Sequence, residues 1–131
     1  MRIAYAEIVA ALEEKLMKRG FSREQSAETA EILAANSQDG ILSHGVNRFP
    51  RLLSYIDKGY IVPGVTACKE AGFGAIERWN GQLGMGVTNA CICTDRACEL
   101  AEQYGIGMVA LRNTNHWMRG GYYGWQAADR G

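Results

Sequence analysis

Gly107-Met108-Val109-Ala110-Leu111 is an unbroken apolar run between Gly105 and the polar string Arg112-Asn113-Thr114-Asn115-His116. A short continuous apolar run bounded in this way predicts a strand buried on both faces, in the interior of a sheet. Upstream, the spacing predicts a helix from about Val87 to Tyr104, closed by Gly105. Before it, residues 65–80 predict one or two short strands, with Ile76 and Trp79 as packing residues and a turn at Asn80-Gly81. Downstream, Gly120-Gly121 leads into a last helical stretch from Tyr123 to Arg130. A strand between two helices predicts an α/β arrangement that continues into a neighbouring parallel strand. Gly131 ends the sequence before any such strand, so the expectation is a segment of a longer protein.

The first half has a different texture. Ile8, Leu12 and Leu16 form one stripe from Tyr5 to Arg19, ending at Gly20. Ser22 opens a second helix, with Gln25 placed to complete a capping box, and it runs through Ala30, Ile32, Leu33 and Ala34 to Gly40. A third begins after Asn47, carries Pro50 in its first turn, and repeats Phe49, Leu52, Leu53 and Ile56 before Gly59. The fold class expected is therefore mixed α/β: a helical segment over residues 1–62, then the start of an α/β portion over 63–131, with covering helices on part of a mixed sheet.

Composition narrows the function classes. The 131 residues are 47% hydrophobic and 21% charged, with a formal net charge of zero. Basic residues stand beside acidic ones, as in Glu13-Glu14-Lys15 and Asp95-Arg96, so no basic field is available for nucleic acid or an anionic membrane. No apolar run reaches the roughly 20 residues of a membrane helix. Glu7, Glu13 and Glu14 interrupt any signal-peptide core, which implies the cytoplasm. Cys91 and Cys98 share a helix face with Val87, Ala90, Thr94 and Ala101, while Cys93 points elsewhere and Cys68 lies far back. Their spacing matches no structural zinc pattern, so they are expected as small buried hydrophobes, with no metal.

Both histidines sit in chemically dense segments. The first is Ser43-His44-Gly45-Val46-Asn47-Arg48, at the N-terminal end of the third helix, where N–H groups and positive partial charge suit a carboxylate. Arg48 has the fork to grip that carboxylate, His44 carries an imidazole able to exchange a proton, and Ser43 carries a hydrogen-bonding hydroxyl. The competing reading makes Ser43 a helix cap, His44 a packed turn residue and Arg48 a solvated charge. The second is Asn113-Thr114-Asn115-His116-Trp117-Met118-Arg119-Gly120-Gly121, directly after the apolar strand. Ligands collect at the carboxyl ends of strands in open α/β sheets, and the two glycines permit close backbone approach. Its competing reading is a loop chosen for turn chemistry. Gly84-Met85-Gly86 lacks a third glycine at the fingerprint spacing, where Asn89 stands, and is read as a helix-start turn.

At these two segments the chain resembles a known family. Ser43-His44-Gly45 with Arg48, and Asn115-His116 with Gly121-Tyr122-Tyr123, are similar to the malate/L-lactate dehydrogenase family, continuously over essentially all 131 residues. The wording around both histidines most resembles that of the branch reducing a diketo sugar acid. The resemblance implies a dimeric cytoplasmic oxidoreductase that moves a hydride between NAD(H) or NADP(H) and a 2-oxo or 2-hydroxy acid, on a fold that is not a Rossmann fold. It implies His44 as proton donor in one branch and His116 as proton acceptor in another, leaving open which carries the proton. It implies Arg48 on the substrate carboxylate with Ser43 beside it, and Gly120 as a cofactor contact. The remaining cofactor contacts are expected beyond Gly131, so the 131-residue chain alone is expected to be inactive. Convergence of His44, Arg48 and His116 on one cleft is a further expectation. The alternatives are a malate-, lactate- or ureidoglycolate-type 2-hydroxy acid dehydrogenase of the same family and, from a different class, a noncatalytic binding module made from part of the same fold.

Overall fold

The computed structural model describes residues 2–131. Two compact units divide the chain, residues 1–64 and 65–131. Among the described residues, no helix is long and apolar enough to cross a membrane.

The first unit is helical: α1 (Tyr5–Met17), α2 (Arg23–Gln38) and α3 (Phe49–Asp57), with two short 3-10 turns, Leu42–His44 and Val46–Arg48, between α2 and α3. Ser22 caps α2 by accepting from the Gln25 N–H at 3.1 Å, and the Gln25 side chain reaches back to the Ser22 N–H at 3.4 Å, which is the capping box the spacing predicts. The α1 stripe is Val9, Leu12 and Leu16. Ile8 is only half-buried, so the helix is turned one position from the expected face. α1 packs against α2, in which Ala30 and Leu33 are fully buried. Phe49, Leu52 and Ile56 are the buried positions of α3, and Pro50 sits in its first turn.

The second unit contains β1 (Cys68–Phe73), β2 (Ile76–Asn80), α4 (Gly86–Tyr104), β3 (Met108–Arg112) and α5 (Gly120–Ala128). Strand order is β1-β2-β3; β1 and β2 are antiparallel, whereas β2 and β3 are parallel, with Ile76 opposite Met108 and Asn80 opposite Arg112. The parallel pair requires a crossover, and α4 supplies it. Gly105, at φ +80°, ends α4 in the left-handed conformation that a residue without Cβ adopts readily. The architecture is mixed α/β, as the patterning predicts.

Four local expectations are corrected. First, among the described residues β3 is an edge strand rather than an interior one: Val109 and Leu111 are half-buried, while Met108, Ala110 and Arg112 are exposed. An apolar run specifies that a strand has partners, but not that both of its faces find them. Second, Ile76 is 53% exposed and the buried β2 side chain is Glu77. Ile76 and Trp79 are three residues apart, and a period of two cannot place them on one face. Third, the hairpin turn lies at Gly74-Ala75, between β1 and β2, while Gly81 opens a separate turn closed by Gly84 N–H donating to Gly81 O at 2.8 Å. Fourth, the last helix begins at Gly120, so both glycines lie inside it, and it ends at Ala128. Among the cysteines, Cys91 and Cys93 are buried, Cys98 is intermediate and Cys68 is exposed, so the expectation of buried thiols fails for Cys68 on β1.

Glu77 is the least expected core residue. Its carboxylate, 2% exposed, accepts from Arg96 Nη2 at 2.8 Å, Arg96 Nε at 3.0 Å, Lys69 Nζ at 2.6 Å and Trp79 Nε1 at 2.8 Å. The Arg96 hydrogen bonds, helped by Lys69 and Trp79, hold the carboxyl well below the usual carboxylate range although burial pushes the other way.

Candidate active site

In the first unit the His44 segment is built on the end of α2. Asn36, 1% exposed, donates from Nδ2 to the His44 carbonyl at 3.0 Å, and Ser37 Oγ accepts from the Val46 N–H at 2.8 Å. Between them Gly45 is buried against Ser37: a methyl group there would stand 2.9 Å from the Ser37 nitrogen and closer still to its hydroxyl. Only glycine lets the chain pass that close. Asn36 and Ser37 do not stand out in the sequence, although two adjacent small polar residues at the end of an Ala-rich helix are a recognisable signal.

Ser43 and His44 meet directly, with Ser43 Oγ 2.8 Å from His44 Nδ1. A hydroxyl both donates and accepts, so this contact survives whether Nδ1 carries a proton or not. Ser43 makes no side-chain cap to a helix. Arg48 stands at the N-terminal boundary of α3, half-buried, and forms no ion pair among the described residues. The N–H groups of Arg48 and Phe49 are taken up by Gly45 O and Val46 O. An anion here would therefore rely on the Arg48 guanidinium more than on the helix terminus.

His116 belongs to the second unit, on the loop that leaves the carboxyl end of β3. Its Nδ1 accepts from the Met118 N–H at 2.9 Å. A backbone N–H can only donate, so Nδ1 is unprotonated and the neutral ring carries its proton on Nε2. The loop borders an open cleft of about 460 Å³ lined by Val109, Leu111, Thr114, Asn115, His116 and Trp117. Trp117 is clamped from α5, where Tyr123 donates its hydroxyl to the Trp117 carbonyl at 2.5 Å and stacks on its ring at 5.6 Å between centroids. Gly120 opens α5 and faces open space. Ser43, His44 and Arg48 are thus grouped in one unit, and His116 and Gly120 in the other.

A mixed sheet without a glycine fingerprint, carrying Ser-His on one unit and Asn-His on the other, agrees with what similarity to known proteins shows. The chain belongs to the malate/L-lactate dehydrogenase family, whose model matches residues 3–131. It is 47% identical over its full length to the 2,3-diketo-L-gulonate reductase of Escherichia fergusonii, and it spans about 40% of the length of that relative. Among solved structures, the malate dehydrogenase of Pyrococcus horikoshii OT3 superposes with a TM-score of 0.95 at 26% identity, over 99% of this chain and 37% of that one. The sulfolactate dehydrogenase of Methanocaldococcus jannaschii gives 0.95 at 28% identity, over 99% of this chain and 38% of that one.

Proposed function

We propose that the chain serves an NAD(P)H-dependent reductase of a 2-oxo acid, of the diketo sugar-acid type, with His44 as the proton donor. The observation that carries the choice of histidine is the contrast between the two ring contacts. Ser43 Oγ accommodates His44 in its protonated and neutral forms alike, as a group that gives up a proton and regains it must be accommodated. His116 is held by a backbone donor at Nδ1, which favours the tautomer that presents Nε2–H as a hydrogen-bond donor.

When bound, a nicotinamide cofactor would supply hydride chemistry toward the substrate carbonyl. His44 delivers the proton to the carbonyl oxygen from Nε2, the nitrogen opposite the Ser43 contact, and recovers it from solvent. Arg48 grips the carboxylate and so aims the adjacent carbonyl. The cleft beside His116 pairs an apolar wall of Val109, Leu111 and Trp117 with a polar rim of Thr114, Asn115 and His116, which suits a flat ring bearing an amide. A phosphate cradle is not evident in Gly84-Met85-Gly86, whose backbone is already packed against the Asn115 and His116 carbonyls. The reading also carries the cytoplasm and a homodimer, both from the family resemblance.

The test uses protein expressed from its whole reading frame, assayed with NADH and NADPH against a panel of 2-oxo acids. Arg48→Ala is expected to raise KM chiefly. His44→Ala is expected to lower kcat by roughly 10²–10⁴-fold and to abolish the near-neutral limb of the pH–rate profile. His116→Ala is expected to keep that limb. A His44→Ala enzyme with normal turnover and an unchanged profile would overturn the assignment.

A further inference from the structure

Besides its own Met118 contact and the Tyr123 clamp, the loop that carries His116 is held by a second loop, and one buried amide ties the two together. Loop 81–85 leaves β2, and loop 113–119 leaves its parallel neighbour β3. Beyond the last strand pair they stay engaged: Gly81 N–H donates to Arg112 O and Leu83 N–H to Asn113 O, both at 2.8 Å. Asn115 returns the grip, donating from Nδ2 to Leu83 O at 3.0 Å and Gly84 O at 3.2 Å.

Backbone strain collects in the same place. Among the described residues the non-glycine residues at positive φ are Gln82 (+53°), Leu83 (+59°), Asn113 (+50°) and Met118 (+67°), all on these two loops. Left-handed conformations cost side-chain-bearing residues free energy, and they persist only where surrounding contacts over-determine them. Met118 is the residue whose N–H holds His116 Nδ1, so the strained geometry and the ring orientation are one feature.

Asn89 supplies the over-determination. It lies in the first turn of α4 and is fully buried. Its Oδ1 accepts from Ala67 N–H at 2.7 Å; its Nδ2 donates to Gly81 O at 2.9 Å and to Thr114 Oγ1 at 3.2 Å. One side chain thus joins the approach to β1, the loop after β2 and the loop after β3. Three residues earlier, Gly86 forms the floor: a methyl group there would stand 2.5 Å from the His116 carbonyl oxygen and closer still to that of Asn115. The Gly84-Met85-Gly86 turn, which superficially resembles a phosphate loop, is the seat of the His116 loop.

We infer that Asn89 is a positioning residue for His116, acting through Thr114 and Gly81 with Gly86 as the seat, and that the orientation of the imidazole depends on this bracing. Its catalytic consequence rests on the reductase reading; its structural content does not. Asn89→Asp keeps the acceptor for Ala67 and removes both donors. Gly86→Ala lifts the loop from its seat. Thr114→Val, nearly isosteric, removes a single partner and guards against a buried carboxylate that unfolds the protein. The readout is the side-chain ¹⁵N–¹H spectrum of His116 in ¹⁵N-histidine-labelled protein, together with kcat and KM. Expected is loss of the single Nε2–H tautomer signature in Asn89→Asp and Gly86→Ala, and a smaller shift of the same sense in Thr114→Val. kcat is expected to fall by about 10- to 100-fold with KM little changed. Folded variants whose His116 signals match those of the parent protein would overturn the inference whatever their activity. Altered signals with undiminished turnover would uphold the positioning and remove His116 from the reductase reading instead.

Discussion

At the scale of single residues, burial sorts four thiols into distinct chemical classes. Cys93 is 8% exposed, and burial pushes its thiol up to about 11. At pH 8 its thiolate is then only about one part in a thousand, and thiolate is the reactive form. Cys68 stands exposed on β1. Ellman's reagent on the native protein at pH 8 is expected to modify Cys68 first and to reach Cys93 only after unfolding. A Cys93 that reacts as fast as Cys68 would mean that α4 opens far more readily than its burial implies. The same scale explains why both histidines are visible in the sequence while their partners are not. His44 and His116 are the chain's two histidines, each in polar company. Asn36 and Asn89 stand inside helical patterns, where an amide looks like any surface position until its burial is known.

At the scale of elements, the contact between β2 and α4 is carried by charge. Glu77 is buried, whereas Arg96 keeps about a third of its side chain exposed, so the two partners are not equivalent. Removing Arg96 leaves a buried carboxylate with only Lys69 and Trp79, and Arg96→Ala is expected to destabilise the fold at pH 7, read as a lower urea midpoint. The pH dependence has a defined sense. In the parent protein Glu77 is held low, so its contribution is complete above about pH 4.3, the ordinary glutamate value. It is lost progressively as acid protonates the unfolded chain below that pH. Without Arg96 the carboxyl has lost its largest downward influence and protonates in the folded state at higher pH. The penalty of Arg96→Ala should therefore shrink as the pH is lowered through the carboxylate range in urea unfolding. A penalty that stays constant across that range would show that Glu77 is not the group responsible.

At the scale of the molecule, charge balance and exposed apolar surface act together. The isoelectric point of the sequence is about 6.7, and Phe73 is 90% exposed at the β1–β2 turn, with Ile106 and Trp125 each at 67%. With little net repulsion to keep copies apart near that pH, solubility of the 131-residue chain is expected to be lowest around pH 6.7. It should recover on either side, and Phe73→Ser should raise the minimum. Light scattering across pH 5–9 measures this; a Phe73→Ser chain with the same minimum would place the adhesive surface elsewhere.

The helices are legible in the sequence because their determinants are local. Apolar spacing near 3.6, the Ser22–Gln25 box, Pro50 in a first turn and Gly105 after α4 all act within a few residues of the backbone they shape. Family membership is legible for the same reason, being written in two short segments around His44 and His116. The strands are legible as strands but not in their environment. Whether β3 lies inside a sheet or at its edge, and whether Ile76 or Glu77 faces α4, depends on which other strands and helices arrive, and no window of neighbouring residues contains that information. The same limit hides the bracing of His116. Asn89 reaches back 22 positions to Ala67 and forward 25 to Thr114, and such pairings exist only once the chain has folded them together.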